Sequence, residues 1–184
     1  DTAKSSHESG DYSLVDFNRA GVPLMELVTE PVIHNAQDAS RFAKELQLLL
    51  QYLGAGEANM EKGEMRVEAN ISVSKEQGKL GTKVEVKNLN SFKAVEKAIE
   101  FEMNRHIDLI EEGGKVVQET RGWDEHKEVT FSQRIKEDSH DYRYFPDPDL
   151  PKLKLSEFSE LSKTDLAGSL PELPWERRLR YTTT

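Results

Sequence analysis

Residues 65–73 read MRVEANISV and residues 83–87 read KVEVK. Both alternate apolar and polar side chains, and a period of two demands an extended strand with one dry face and one polar face. If the two pair as a hairpin around KEQGKLG, Met65, Val67, Ala69, Ile71, Val73, Val84 and Val86 point to a core. Arg66, Glu68, Asn70 and Ser72 then share the other face with Lys83, Glu85 and Lys87. The simplest register sets Glu68 opposite Lys87, Asn70 opposite Glu85 and Ser72 opposite Lys83.

A half-dry sheet needs something to cover it. Asn35, with Asp38 three residues on, caps a predicted helix whose apolar face is Ala39, Phe42, Leu46, Leu49, Leu50 and Leu53, ending at Gly54. Ser91 caps a longer one with Phe92, Val95, Ile99, Met103, Ile107 and Ile110 on its apolar face, stopped by Gly113-Gly114. Its length of about 20 residues, or roughly 30 Å, suffices to back a whole sheet.

Elsewhere the pattern is shorter. Residues 1–11 read as a loop, and 14–17 and 24–28 as strands split by a bend at AGVP. On the second of these, Glu26 and Glu30 would share one face. Residues 115–121 and 128–135 read as a hairpin joined through GWDEHK, with Trp123 in its turn. The prolines of DYRYFPDPDLP exclude helix or central strand there. A short helix is expected over 157–166 and another near Trp175, beyond Pro171 and Pro174. The fold class is therefore α+β, with a mainly antiparallel sheet and flanking helices. The boundary expected within it leaves 1–155 as one domain and 156–184 as a linker and the start of a helical one.

Composition removes several functions. With 184 residues, no cysteine and no apolar run of membrane-spanning length, disulfide, thiolate and membrane-span chemistry are excluded. A net charge of -9 argues against a broad, nonspecific grip on nucleic acid, which comes from Lys and Arg neutralising phosphates. No nucleophile elbow, Walker loop or Gly-x-Gly-x-x-Gly is present. The termini, with no initiator Met and no stop to the last element, read as those of a piece of a longer protein.

What remains is carboxylates and cations on strands. Hard oxygen ligands beside Lys and Arg suit Mg²⁺ and a nucleoside triphosphate. A solvated lattice of surface ion pairs is the alternative, since strands with one charged face are common. His7 and His140 have no partner spacing for a metal and read as surface histidines. Tyr142 and Tyr144 read equally as base-stacking groups or as loop packing.

The segments VDFNRAGVPLMELVTEP, MEKGEMRVEANISV, EVKNLNSFKAVEKAIEFE, GGKVVQETRGWD and HDYRYFPDPDLP resemble, in order and spacing, the catalytic domain of the B-subunit family of aspartyl/glutamyl-tRNA amidotransferases. The resemblance implies a sheet curled into a cradle, similar to the glutamine synthetase catalytic domain, with residues 1–155 as its central part. It implies an ATP-dependent ligase that phosphorylates the side-chain carboxylate of Glu-tRNA(Gln) or Asp-tRNA(Asn). Ammonia from a partner amidase then displaces the phosphate. The implied cofactors are Mg²⁺ and ATP. The implied partners are the amidase, which is the A component of the same complex, its small C component and the mischarged tRNA, in the cytoplasm and away from membranes.

By the same resemblance Glu26 matches a metal ligand. Glu68 matches a position that is often Asp in the family, making it a second candidate ligand and a catalytic candidate with Arg66 and Lys87. Asn70 and Asn90 match positions lining the nucleotide or acyl-phosphate site, and Arg19 and Arg143 are candidates to hold phosphate or the tRNA 3'-end. A Gly-Leu-Glu-(Val/Ile)-His motif with further ligands would precede Asp1, and helical tRNA-gripping domains would follow, so the piece alone is expected to be inactive. Two other classes remain open: a noncatalytic scaffold docking amidase and tRNA, and a glutamine synthetase-like ligase acting on a free amino acid.

Overall fold

The structure, a computed structural model, describes residues 3–7, 12–135 and 150–183. It divides into two compact units, Asp1–Val32 and Ile33–Thr184. The first unit contains β1 (Lys4–His7) paired antiparallel with β2 (Ser13–Asp16), Lys4 opposite Asp16. Residues 4–7, expected in a loop, are thus a strand. The reverse correction applies to 24–28: no strand forms there among the described residues, and Leu24, Met25, Leu27 and Val28 are exposed. Pro23 and Pro31 bracket that segment, and no described neighbour takes up its backbone groups in a ladder. Glu26 and Glu30 therefore do not share a strand face.

In the second unit α1 (Ala36–Tyr52) starts where Asn35 accepts the backbone N–H of Asp38 at 2.7 Å, and Gly54 beyond its end takes a φ of 65°. Strands β3 (Val67–Ile71) and β4 (Val84–Leu89) form the expected antiparallel pair. Next, α2 (Phe92–Glu111) starts at Ser91, whose hydroxyl accepts the N–H of Ala94 at 3.0 Å. The chain returns through β5 (Glu119–Asp124), which begins later than expected, and β6 (Val129–Ile135). Trp123 stands within β5, not in the turn.

The sheet order is β3-β4-β5-β6, and β4 pairs with β5 in parallel. The mainly antiparallel sheet expected from the sequence is therefore a mixed one. The reason is α2: a 20-residue helix between β4 and β5 carries the chain back along the sheet, so β5 starts at the same end as β4. The expected helix over 157–166 is instead two 3-10 turns, Leu155–Glu157 and Ser159–Leu161, followed by α3 (Lys163–Ser169) capped by Ser162. The last helix, α4 (Pro174–Thr182), opens on a proline whose missing N–H costs nothing at a first turn. It packs on α1 through Arg177 on the Tyr52 ring and the Arg178–Glu45 ion pair.

The core lies between the sheet and α2, built from Ala69, Ile71, Val84, Val86 and Leu89 against Val95, Ala98 and Ile99. Val84 and Val86 are fully buried, each contributing about 2 kcal/mol. Helix α1 turns differently from its expected face, whereas α2 keeps Val95 and Ile99 inward as expected. In α1 the buried residues are Ala36, Ser40 and Ala43, while Phe42 is 40% and Leu53 41% exposed. Small side chains allow close approach to α2, and the Ser40 hydroxyl donates to the Phe92 carbonyl at 3.2 Å. In α2 the buried face runs Val95, Ala98, Ile99, Glu102, His106, leaving Ile107 at the surface.

Candidate functional site

The face of the sheet turned away from α2 begins on β3 and β4. Asn70 pairs with Glu85 as the alternation requires, but the register slips by one residue between Val67 and Ala69. The extra residue falls on β4, where Asn88 takes a φ of 64°, the left-handed region that Asn tolerates better than most residues. Glu68 still meets Lys87: its Oε1 accepts from the ammonium at 3.2 Å. The same ammonium stands 3.6 Å from Glu85 Oε1, so two carboxylates flank one cation. Glu85 Oε2 accepts the Thr120 hydroxyl at 2.9 Å, which extends the polar face onto β5. The expected pair of Ser72 with Lys83 falls beyond both strand ends.

Above this row a cleft of about 450 Å³ is lined by Met60, Arg66, Glu68, Lys87, Asn88 and Asn90. Four of the expected site residues, Arg66, Glu68, Lys87 and Asn90, thus come together, and Asn70 stands exposed on the adjoining strand position. Arg66 makes no ion pair among the described residues. A loop built on Asn59 walls the cleft: its carboxamide oxygen accepts the Lys62 N–H at 3.0 Å, and its own N–H donates to Glu64 at 3.1 Å. Arg19, half-buried, and Glu26, exposed, belong to the first unit. Arg143 lies outside the described residues, as do His140, Tyr142, Tyr144 and nearly all of DYRYFPDPDLP; so does the side chain of His7.

No group of three His, Asp or Glu side chains poised for a metal occurs among the described residues. The donor set is instead one or two carboxylates beside cations, which suits Mg²⁺ shared with phosphate oxygens and not a closed protein cage. The Glu68–Lys87 contact is half-exposed, at 45% and 39%, so it is screened by solvent.

The other face of β5 and β6 carries a group the periodicity did not reveal. Glu102 of α2 is fully buried; its Oε1 accepts from Arg105 Nε at 2.8 Å and its Oε2 from the Thr130 hydroxyl at 2.7 Å. Burial pushes its pKa up, but hydrogen bonds from His106, Arg105 and Thr130 outweigh that and bring it down to about 2. Arg121 donates to Glu119 at 2.6 Å and to Thr130 Oγ1 at 2.8 Å. Burial raises the Glu119 carboxyl too, and bonds from Ser132 and Arg121 hold it below the usual range. Thr120 on the polar face was also missed, though its parity with Gly122 and Asp124 on one strand was open to reading.

The structure is thus an α+β domain whose sheet sets carboxylates beside a lysine on one face and packs its dry face on α2. The model of the GatB/GatE catalytic domain matches residues 1–159, and the chain belongs to that family. It is 50% identical to the B subunit of the aspartyl/glutamyl-tRNA(Asn/Gln) amidotransferase of Trichormus variabilis, over 98% of this chain and 38% of that protein. It is 49% identical to the protein of the same name from Coxiella burnetii, over 100% and 38%. For that of Carboxydothermus hydrogenoformans the identity is 49%, over 92% and 35%. The chain therefore spans under two fifths of the length of these relatives. Among the described residues no helix is long and apolar enough to cross a membrane.

Proposed function

We propose that the polar sheet face is part of the active site of a tRNA-dependent amidotransferase, in which ATP activates the side-chain carboxylate of Glu-tRNA(Gln) or Asp-tRNA(Asn) for amidation. The observation that carries this reading is Lys87 between the Glu68 and Glu85 carboxylates, with Glu68 and Lys87 lining a cleft together with Arg66 and Asn90. Its chemistry is that of phosphoryl transfer, where the protein positions groups and offsets charge more than it forms bonds.

Lys87 and Arg66 act as the cations that neutralise phosphoryl oxygens, and preorganised charge of this kind is often the largest single contribution to rate. Asn70 and Asn90 orient the nucleotide or acyl phosphate through their carboxamides. Glu68 and Glu26 are the carboxylates that would hold Mg²⁺. Held there, Mg²⁺ would supply positive charge that offsets the repulsion between phosphoryl oxygens and the incoming carboxylate. Arg19 and Arg143 act on phosphate or the tRNA 3'-end.

The partners in this reading are the amidase, or A component, that supplies ammonia, the small C component and the mischarged tRNA, in the cytoplasm. Residues 1–155 serve as the central part of a cradle similar to the glutamine synthetase catalytic domain, and 156–184 as the passage to a helical domain. The test is amidation by the full-length complex, with ATP and glutamine, of Glu-tRNA(Gln) and Asp-tRNA(Asn) separately. ATP-dependent product on either tRNA supports the reading. Binding of tRNA and amidase without any amidation would instead identify a scaffold, and amidation of the free amino acid a glutamine synthetase-like ligase.

A further inference from the structure

Strand β6 is inverted in polarity. Thr130 and Ser132 point toward the buried Glu102 and Glu119, whereas Phe131 between them stands on the polar face, 43% exposed. The register places Phe131 directly opposite Gly122 of β5, and Gly122 beside Lys87 of β4. A single row across the sheet thus reads Glu68, Lys87, Gly122, Phe131: carboxylate, cation, glycine, aromatic ring.

Gly122 is what lets the ring lie down. A Cβ placed there would come within 2.6 Å of Phe131 Cζ and 2.6 Å of Gln133 Nε2, so both side chains lean across the glycine. Gln133 sits where the β5–β6 register slips between Thr120 and Arg121, and its carboxamide arrives beside the ring. The result is an exposed ring with an amide at its edge. It lies about 10 Å, two strand spacings, from the strand of the phosphate-seeking lysine.

We propose that Phe131 and Gln133 seat the base of the nucleoside triphosphate, the ring by stacking and the carboxamide by hydrogen bonding to the base edge. This rests on the reading of the polar face as the ATP site. An aromatic face stacks on any base, and a carboxamide offers the donor and acceptor that match the edge of adenine. The row supplies the remaining order: base on β6, sugar over the bare glycine, phosphates at Lys87. A role confined to covering Gly122 predicts a different outcome, because any apolar side chain would serve.

The test uses the full-length amidotransferase complex with saturating aminoacyl-tRNA and glutamine, varying ATP. Phe131→Leu keeps an apolar cover over Gly122 and removes the π face; the KM for ATP is expected to rise about tenfold, equivalent to 1.4 kcal/mol, with kcat and the KM for tRNA within twofold. Phe131→Tyr should restore the KM, and Gln133→Leu should erode the preference for ATP over GTP. An unchanged KM for ATP in Phe131→Leu, or a rise in the KM for tRNA alone, overturns the seat while leaving the amidotransferase reading standing. A wild-type complex that makes no product with ATP overturns both.

Discussion

Nε2 of His106 lies 3.1 Å from Oε1 of Glu102, one turn earlier on the same helix, and both side chains are fully buried. An ionised carboxylate only accepts, so the imidazole N–H donates to it. Together with Arg105, Arg121 and Thr130 this bond ties α2 to β5 and β6 on the side of the sheet opposite the cleft.

Glu102→Gln keeps the shape and removes the charge, leaving two arginines facing a neutral amide. The expected loss of stability is on the order of 3 kcal/mol, as for other buried pairs deprived of one partner, read from denaturant unfolding. A change below about 0.5 kcal/mol, the size of an ordinary surface substitution, would show that the network is not what holds α2 to the sheet.

The same carboxyl sets an acid limit. Its folded pKa of about 2 lies below the ordinary 4.5, so its contribution is fully present above pH 4.5 and is lost as pH falls toward 2. Thermal melts of the wild type should therefore drop through that window, and those of Glu102→Gln should drop less. Equal slopes in the two proteins would assign the acid loss to other carboxylates.

Lys87→Met is expected to separate stability from activity. The ion pair with Glu68 is half-exposed and worth no more than about 1 kcal/mol, so the melting temperature should move by only a few degrees. Amidation by the full-length complex should fall about 10²-fold or more if Lys87 neutralises transferring phosphate. A variant that melts early yet keeps near-normal specific activity would make Lys87 a structural residue.

Glu26→Gln should behave in the same sense. Glu26 is exposed on a segment without regular structure, so the substitution should leave thermal stability intact. If Glu26 holds the metal, its loss is expected to cost on the order of 3 kcal/mol, or 10²-fold, in ATP-dependent amidation by the full-length complex, with glutamine hydrolysis unchanged. Full activity at low Mg²⁺ would remove Glu26 from the metal site.

Gly81→Ala tests the connection between β3 and β4. A Cβ at Gly81 would stand 2.0 Å from the carbonyl oxygen of Val73, a backbone atom that cannot swing aside. The hairpin must shift, at a cost of roughly 1–3 kcal/mol or more, and the register that faces Glu68 toward Lys87 shifts with it. Wild-type stability in this variant, measured by thermal unfolding, would mean the connection adapts freely.

What was legible in the sequence is what depends on neighbours in the chain. The alternation through Val67, Ala69 and Ile71 and through Val84 and Val86 determined two strands, their dry face and the pairing of Asn70 with Glu85, because side-chain direction follows backbone period. Asn35 and Ser91 announced two helix starts, because a cap bonds an N–H three residues away. Arg66, Glu68 and Lys87 could be placed on one face for the same local reason, whereas Asn90 was named only through the resemblance to the family.

Tertiary structure decided the rest, through groups distant in sequence. The Asn88 bulge, the parallel run of β5 and the strand at 4–7 depend on which backbone lies alongside. Glu102 looks misplaced in a helix face turned to the core until Arg121 and Thr130, from other elements, meet it. Phe131 keeps the alternation of its strand but with the faces exchanged: the Thr130 hydroxyl is turned inward to the buried Glu102, and that leaves the ring to the polar face. A buried charge is tolerated only where its partners converge, and convergence is a property of the folded chain alone.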